Sequence, residues 1–239
     1  MLVRVATAIV CAVLALPRHG SCTAPVKEPP QKVFERARLP YPAAVVYLRA
    51  FKHEGELELW AGGAGEPLQL VKRYAICARS GRLGPKAAEG DGQVPEGFYR
   101  ITAYNPRSRF HRSLGIDYPN RADRLRSTAR RLGGEIYIHG KCVTIGCLPI
   151  EDGPAEELFD IAVQHRRQAQ GGIAVHIFPR RMDREGMTAL AREAGRDARL
   201  LAFWESLAPA YRQFEAQRRV PRVSIEADGR YQVRATAAP

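Results

Sequence analysis

Apolar and polar residues alternate through VVYLRAFK (45–52), ELELWAG (56–62) and LQLVKRYAIC (68–77). A period of two predicts strands, and the Gly-rich turn from Ala61 to Gly65 favours antiparallel pairing of the second and third. FYRITAY (98–104), EIYIHG ending at His139 and Gly140, and GIAVHIFP (172–179) continue the strand pattern. The period lengthens in Glu156–Ala169, where Leu158, Ile161, Ala162 and His165 share a helical face after the turn Asp152-Gly153-Pro154. Two further helices are predicted, Met187–Ala194 and Asp197–Arg218. In the second, Leu200, Phe203, Trp204, Leu207 and Tyr211 form a core-facing stripe. QKVFERAR (31–38) predicts one or two helical turns before Pro40, and VSIEA and YQVRA predict short closing strands. Two stretches have no period: the Gly-rich segment Ala78–Gly97, read as a long loop, and the Arg-rich connection Asn105–Gly134. The pattern predicts an α+β fold, a mainly antiparallel β domain with flanking helices and no internal repeat.

The N-terminus has a different character. Arg4 precedes an apolar run from Val5 to Leu16 that Pro17 closes, too short to span a bilayer but suited to the core of an export signal. The expected division is a signal peptide at 1–22, a Pro-rich lead-in at 23–42, a catalytic domain at 43–215 and a C-terminal extension at 216–239. Lipidation at Cys22 is the alternative to cleavage, although His19 stands where a lipoprotein signal takes an aliphatic residue. Membrane contact is expected only through this signal or such an anchor. The expected location is outside the cytoplasm, in the periplasm or at the cell wall.

Composition narrows the class further. The 239 residues carry a net charge of +12, with 45% hydrophobic and 26% charged, which excludes a disordered chain and permits a packed core. Arg-rich stretches at 121–131 and 180–184 lack the aromatic interleaving of a nucleic-acid surface, so no nucleic-acid partner is expected; a basic face toward an anionic wall or membrane suits them better. Removal of Cys11 and Cys22 with the signal leaves Cys77, Cys142 and Cys147 in an oxidising compartment, an odd number.

Chemistry concentrates in IYIHGKCVTIGCLP (136–149). A thiol attacks as thiolate, so it needs a base and main-chain amides for the oxyanion. His139 and Cys147, eight residues apart, can meet if the chain doubles back through Gly140 and Gly146, and Thr144 offers a hydroxyl to the loop. Other readings stay open at this level. His139, Cys142 and Cys147 are three ligands for zinc with no fourth in sight; Cys142 and Cys147 can bridge each other; His139 can be a core histidine.

The segment resembles the L,D-transpeptidase catalytic-domain family (YkuD-type), and within it the YafK-like branch. The family pattern is a strand ending in His-Gly, then Ser or Thr, one residue, Gly and the nucleophilic Cys: here His139, Gly140, Thr144, Ile145, Gly146 and Cys147. LGPKAAEGDGQVPEGFYRI (83–101), NPRSRFHRSLGIDYPN (105–120) and AVHIFPRRM (174–182) extend the resemblance over about Val45 to Tyr211. It implies Cys147 as nucleophile, His139 as base and acid, and Gly140, Thr144, Ile145 and Gly146 as supporting or oxyanion loop. It implies no metal and no organic cofactor. The partners implied are peptidoglycan stem peptides, attacked next to meso-diaminopimelate, or a wall-linked lipoprotein released by hydrolysis. A wall-binding module with an inactive site is the non-enzymatic alternative. With Cys147 the nucleophile, a Cys77–Cys142 disulfide is expected to keep it free. Lys86, Glu89, Asp91 and Gln93 are candidate substrate-rim contacts. The chain departs from the wider pattern in a short insertion after His-Gly, Ile145 at the second His position, and Leu148-Pro149 where an Arg follows the Cys.

Overall fold

A computed structural model describes residues 27–168 and 172–234; the expected signal at 1–22, with Cys11 and Cys22, lies outside them. Strands β1 (Val45–Phe51), β2 (Glu56–Gly62) and β3 (Gln69–Ala75) form the predicted antiparallel run, with Tyr47 opposite Trp60 and Glu58 opposite Arg73. They join β4 (Gly97–Asn105), β5 (Ser113–Ile116), β6 (Tyr137–His139), β7 (Leu148–Pro149) and β8 (Ala174–Phe178) in one eight-stranded sheet, ordered β3-β2-β1-β8-β4-β5-β6-β7. Pairing is antiparallel except at β1–β8 and β6–β7. The molecule is an α+β domain built on a mainly antiparallel sheet.

Helices cover both faces of the sheet. On one side α1 (Pro30–Arg36) and α3 (Asp152–Gln168) bury Val33, Phe34, Leu158, Phe159 and Ile161 against Val46, Leu48, Ala50, Leu57, Leu59, Val175 and Ile177. On the other, α4 (Arg184–Ala194), α5 (Ala198–Gln217) and the hairpin of β9 (Arg222–Ile225) and β10 (Tyr231–Arg234) place Leu190, Phe203, Trp204, Leu207, Tyr211 and Tyr231 around Phe51 and Phe178. Alternate residues of β1 therefore enter different cores, and the strand is buried along nearly its whole length. Arg49 points into the α5 side and is 1% exposed. It is held by Glu58 and Glu215 at 2.6 and 2.7 Å and lies over the Phe214 ring.

Several boundaries differ from the sequence reading. The Arg-rich connection contains β5 and a short helix, α2 (Arg121–Arg126). All four β5 residues are buried, so no alternation marks the strand, and Gly115 leaves room for Ala103 and Tyr137 across the ladder. The α2 helix starts from a capping box between Asn120 and Asp123 and buries only Ala122 and Asp123, too few for a periodic face. The Asp152-Gly153-Pro154 turn is the first turn of α3, because proline is tolerated where the helix has no use for its N–H. The α4 helix begins three residues before Met187, capped by Asp183 on the Gly186 amide at 2.8 Å.

The Gly-rich loop at 78–96 lacks regular structure but is fixed from below. Buried Lys52 donates to the carbonyls of Gly84 and Val94, both at 2.9 Å, and pairs with buried Glu96. Glu96 in turn accepts from the Gly84 amide and from the Trp204 indole, each at 2.7 Å. One ion pair thus ties both ends of the loop to β1 and α5. Glu96→Ala strands a buried ammonium and should lower the free energy of unfolding by about 3–5 kcal/mol. Urea denaturation checks the magnitude, and limited proteolysis should cut first within 78–96; a loss below about 1 kcal/mol would contradict this role.

Candidate active site

Strand β6 ends at His139 and β7 begins one residue after Cys147, and the two run side by side in parallel, Ile138 opposite Leu148 and His139 opposite Pro149. Ile138 and Leu148 enter the core at 2% and 1% exposure. Alternation then turns Tyr137, His139 and the Cys147 position toward the other face, with Cys147 one step before Leu148 and His139 one step after Ile138. The Ile150 amide donates to the His139 carbonyl at 2.9 Å and locks this register.

The connecting loop is short and conformationally demanding. Lys141 has φ of 58° and Gly146 of 132°, and a Cβ on Gly146 would stand 3.0 Å from the Gln93 carbonyl oxygen, so only glycine lets the Gly-rich loop press against the turn before Cys147. Cys142 is bridged to Cys77, just beyond β3, with Cα atoms 5.4 Å apart, while the Cys77 amide donates to Pro149 at 2.9 Å. Cys147 is the free cysteine among the described residues. The one grouping of potential metal ligands among them, Cys77, Cys142 and Glu151, has its two sulfurs bonded to each other, and the structure does not gather His139, Cys142 and Cys147.

The amides of Gly146 and Cys147 converge on Thr144 Oγ1 at 3.1 and 2.8 Å, and the hydroxyl donates back to the Cys147 carbonyl at 2.9 Å. Two main-chain donors thus converge on one oxygen, that of the threonine. Val143 and Ile145 are 54% and 87% exposed on the same loop.

The L,D-transpeptidase catalytic-domain (YkuD) model matches residues 52–177, which hold β2 to β7, most of β8, the disulfide, His139 and Cys147. The chain belongs to this family. It is 37% identical over 190 residues to the Escherichia coli K12 protein named "Putative L,D-transpeptidase YafK", covering 79% of this chain and 73% of that one. Among solved structures it is similar to the helical cell shape determining protein Pgp2 of Campylobacter jejuni (TM-score 0.48, 18% identity, 79% and 75% of the two chains). It is also similar to Bd1075 of Bdellovibrio bacteriovorus (TM-score 0.42, 15% identity, 78% and 79%).

In this family member the histidine and the thiol are both held neutral. A carbonyl can only accept, so the contact of His139 Nδ1 with Gly140 O at 2.5 Å places the proton on Nδ1 and leaves Nε2 as the basic nitrogen. Burial lowers the His139 pKa below its ordinary value, with the Gly140 carbonyl opposing. Burial raises the Cys147 thiol; the Tyr137 amide facing the sulfur and the Lys86 ammonium pull it down, and the Glu135 carboxylate pushes it up. The thiol donates to the Glu135 carbonyl at 3.5 Å, and no hydrogen bond joins it to the imidazole. The resting pair is therefore thiol and imidazole, not thiolate and imidazolium.

The four candidate rim residues divide. Lys86 is 7% exposed and donates to Asp91 at 2.6 Å and to Ala88. Asp91 also receives the amides of Ala87, Ala88 and Gln93, so this pair staples the loop from within. Glu89 faces solvent beside Arg131, while the Gln93 side chain accepts from the Arg82 amide. Lys86 and Gln93 also line a cleft of about 1030 Å³ between the Gly-rich loop, α2 and α5, whose lining does not include His139 or Cys147. Sequence spacing missed three neighbours of the site: Phe110, whose ring lies 5.1 Å from that of His139; Glu135, at φ of 57°; and Asp152, against Gly140. All three lie in stretches named above, but nothing in those stretches marks them as neighbours of His139 or Cys147, so only the fold reveals them.

Neutralising Glu135 removes the charge that raises the thiol pKa. Labelling of Cys147 by iodoacetamide should climb steadily from pH 7 to 9 in the parent, and Glu135→Gln should label about two- to fivefold faster at pH 8. Mass mapping of the alkylated peptide gives the rate; an unchanged or slower rate would contradict this electrostatic account.

Proposed function

We propose that the protein is a cysteine acyltransferase of the cell wall, exported by its N-terminal segment, that acts on peptidoglycan stem peptides next to meso-diaminopimelate. The observation that carries the reading is the β6–β7 register, which sets His139 and Cys147 on one face, together with the Cys77–Cys142 bridge that leaves Cys147 as the free thiol of the described residues.

On binding, the thiol swings from the Glu135 carbonyl toward the imidazole, and His139 Nε2 takes its proton as Sγ attacks the stem carbonyl carbon. The oxygen becomes an oxyanion and takes the Gly146 and Cys147 amides from Thr144. Collapse breaks the C–N bond, His139 returns the proton to the leaving amine, and a thioester remains on Cys147. An acceptor amine resolves it into a new peptide bond; water resolves it into an acid. The neutral resting pair suits this sequence, since the proton moves only when a carbonyl is in place.

Cell-wall sacculi, incubated with the purified protein and analysed by mass spectrometry of the muropeptides, provide the test. New crosslinks between diaminopimelate centres are the expected product. Lipoprotein released with its stem intact would instead assign the water route, the YafK-like alternative. Cys147→Ala should abolish turnover and His139→Gln should cost about 10²- to 10⁴-fold. Sacculi bound but unaltered would mark a wall-binding module and overturn the enzymatic reading.

A further inference from the structure

The Gly140–Lys141 peptide group is gripped at both ends. Its oxygen, Gly140 O, accepts from His139 Nδ1, and its nitrogen, Lys141 N, donates to Asp152 Oδ1 at 2.8 Å. Carboxylate, amide and imidazole are thus in series, joined through one planar unit: Asp152 Oδ1, H–N–C=O, H–Nδ1 of His139. Three features hold the series together. Lys141 takes φ of 58°, uncommon for a residue with a side chain, which turns its amide toward α3. A Cβ on Gly140 would fall 2.5 Å from Asp152 Oδ1 and 2.9 Å from His111 Cβ, so only glycine lets the carboxylate come this close. On the other side the Gly140 amide donates to the His111 carbonyl at 3.4 Å, and His111 itself pairs with Glu156 at 2.8 Å.

We propose that Asp152 is a positioning residue for His139, acting through the Gly140–Lys141 peptide; this rests on the reading of His139 as the base. A carboxylate on the N–H end of an amide draws charge onto its oxygen, because hydrogen bonds in a chain polarise one another. The Gly140 carbonyl becomes a stronger acceptor, which fixes the Nδ1–H tautomer, keeps Nε2 free, and stabilises the imidazolium that forms when Nε2 takes the thiol proton. The Nδ1 proton stays on Nδ1 throughout, and none passes to Asp152. In triads with a direct His–Asp hydrogen bond the carboxylate performs this task on the ring itself. Here the ring is buried with no acid hydrogen-bonded to it, and the charge is delivered across one peptide.

Nitrogen-15 and proton NMR of the full chain, labelled at histidine and assigned by comparison with His139→Gln, tests this. In Asp152→Asn the acceptor oxygen stays but the charge goes. The Nδ1 proton of His139 should move upfield, the tautomer should hold, and muropeptide turnover should fall about tenfold, mainly in kcat. In Asp152→Ala the Nε2–H tautomer should appear and turnover should fall about a hundredfold. If the alanine variant does not fold, the asparagine comparison decides alone. A proton resonance and tautomer unchanged from the parent would overturn the proposal. Resonance and tautomer that move while turnover holds would uphold the coupling to Asp152 and overturn the role of His139 as base.

Discussion

Two neighbouring strands that run parallel ordinarily need a crossover of a dozen or more residues. Here β6 and β7 do so with only residues 140–147 between them, and the site depends on that constraint. The hop is made by backbone geometry and covalent restraint: Lys141 and Gly146 at positive φ, Gly140 pinched between His111 and Asp152, and Cys142 fastened to the end of β3. A loop this tight has few conformations, so the residue on which it leaves β6 and the residue just before it enters β7 are set relative to each other by the sheet. Those residues are His139 and Cys147.

Support comes from layers that never touch the sulfur. The buried Lys52–Glu96 pair anchors the Gly-rich loop to β1 and α5, and the Gln93 carbonyl of that loop packs where a Gly146 side chain would be. Lys86 and Asp91 tighten the same loop from inside and bring a positive charge toward the thiol. The electrostatics balance rather than activate: burial keeps both partners neutral, while an amide and an ammonium offset a carboxylate at the sulfur. With burial the largest influence on it, the half-buried thiol is held toward its protonated form.

Much of the sheet was legible because β1 to β4 and β6 follow the period of two in sequence and β8 is a compact apolar run, while α5 follows its stripe from Leu200 to Tyr211. What escaped was short or buried on all sides. The four buried residues of β5 and the two of β7 carry no alternation, and the parallel seam between β1 and β8 joins segments more than a hundred residues apart. His139, Thr144, Gly146 and Cys147 could be read together because they lie within nine consecutive residues, where local geometry governs. Phe110 and Asp152 could not, since each reaches the site from another part of the chain, and nothing in the run before β6 signals that the Glu135 carbonyl meets the sulfur. Nor does spacing tell direction: Lys86 and Asp91 sit in a polar, Gly-rich segment that reads as solvated surface, yet Lys86 is buried and bonded to Asp91.

In the proposed reaction the Cys147 sulfur carries the substrate as a thioester. Rapid acid quench of the protein with a disaccharide-tetrapeptide, followed by intact mass and peptide mapping, reads this directly. The account predicts an adduct equal to the acyl part of the donor, on the peptide bearing Cys147, that hydroxylamine removes. Turnover of the donor with no adduct on that sulfur, and continuing in Cys147→Ser, would contradict it.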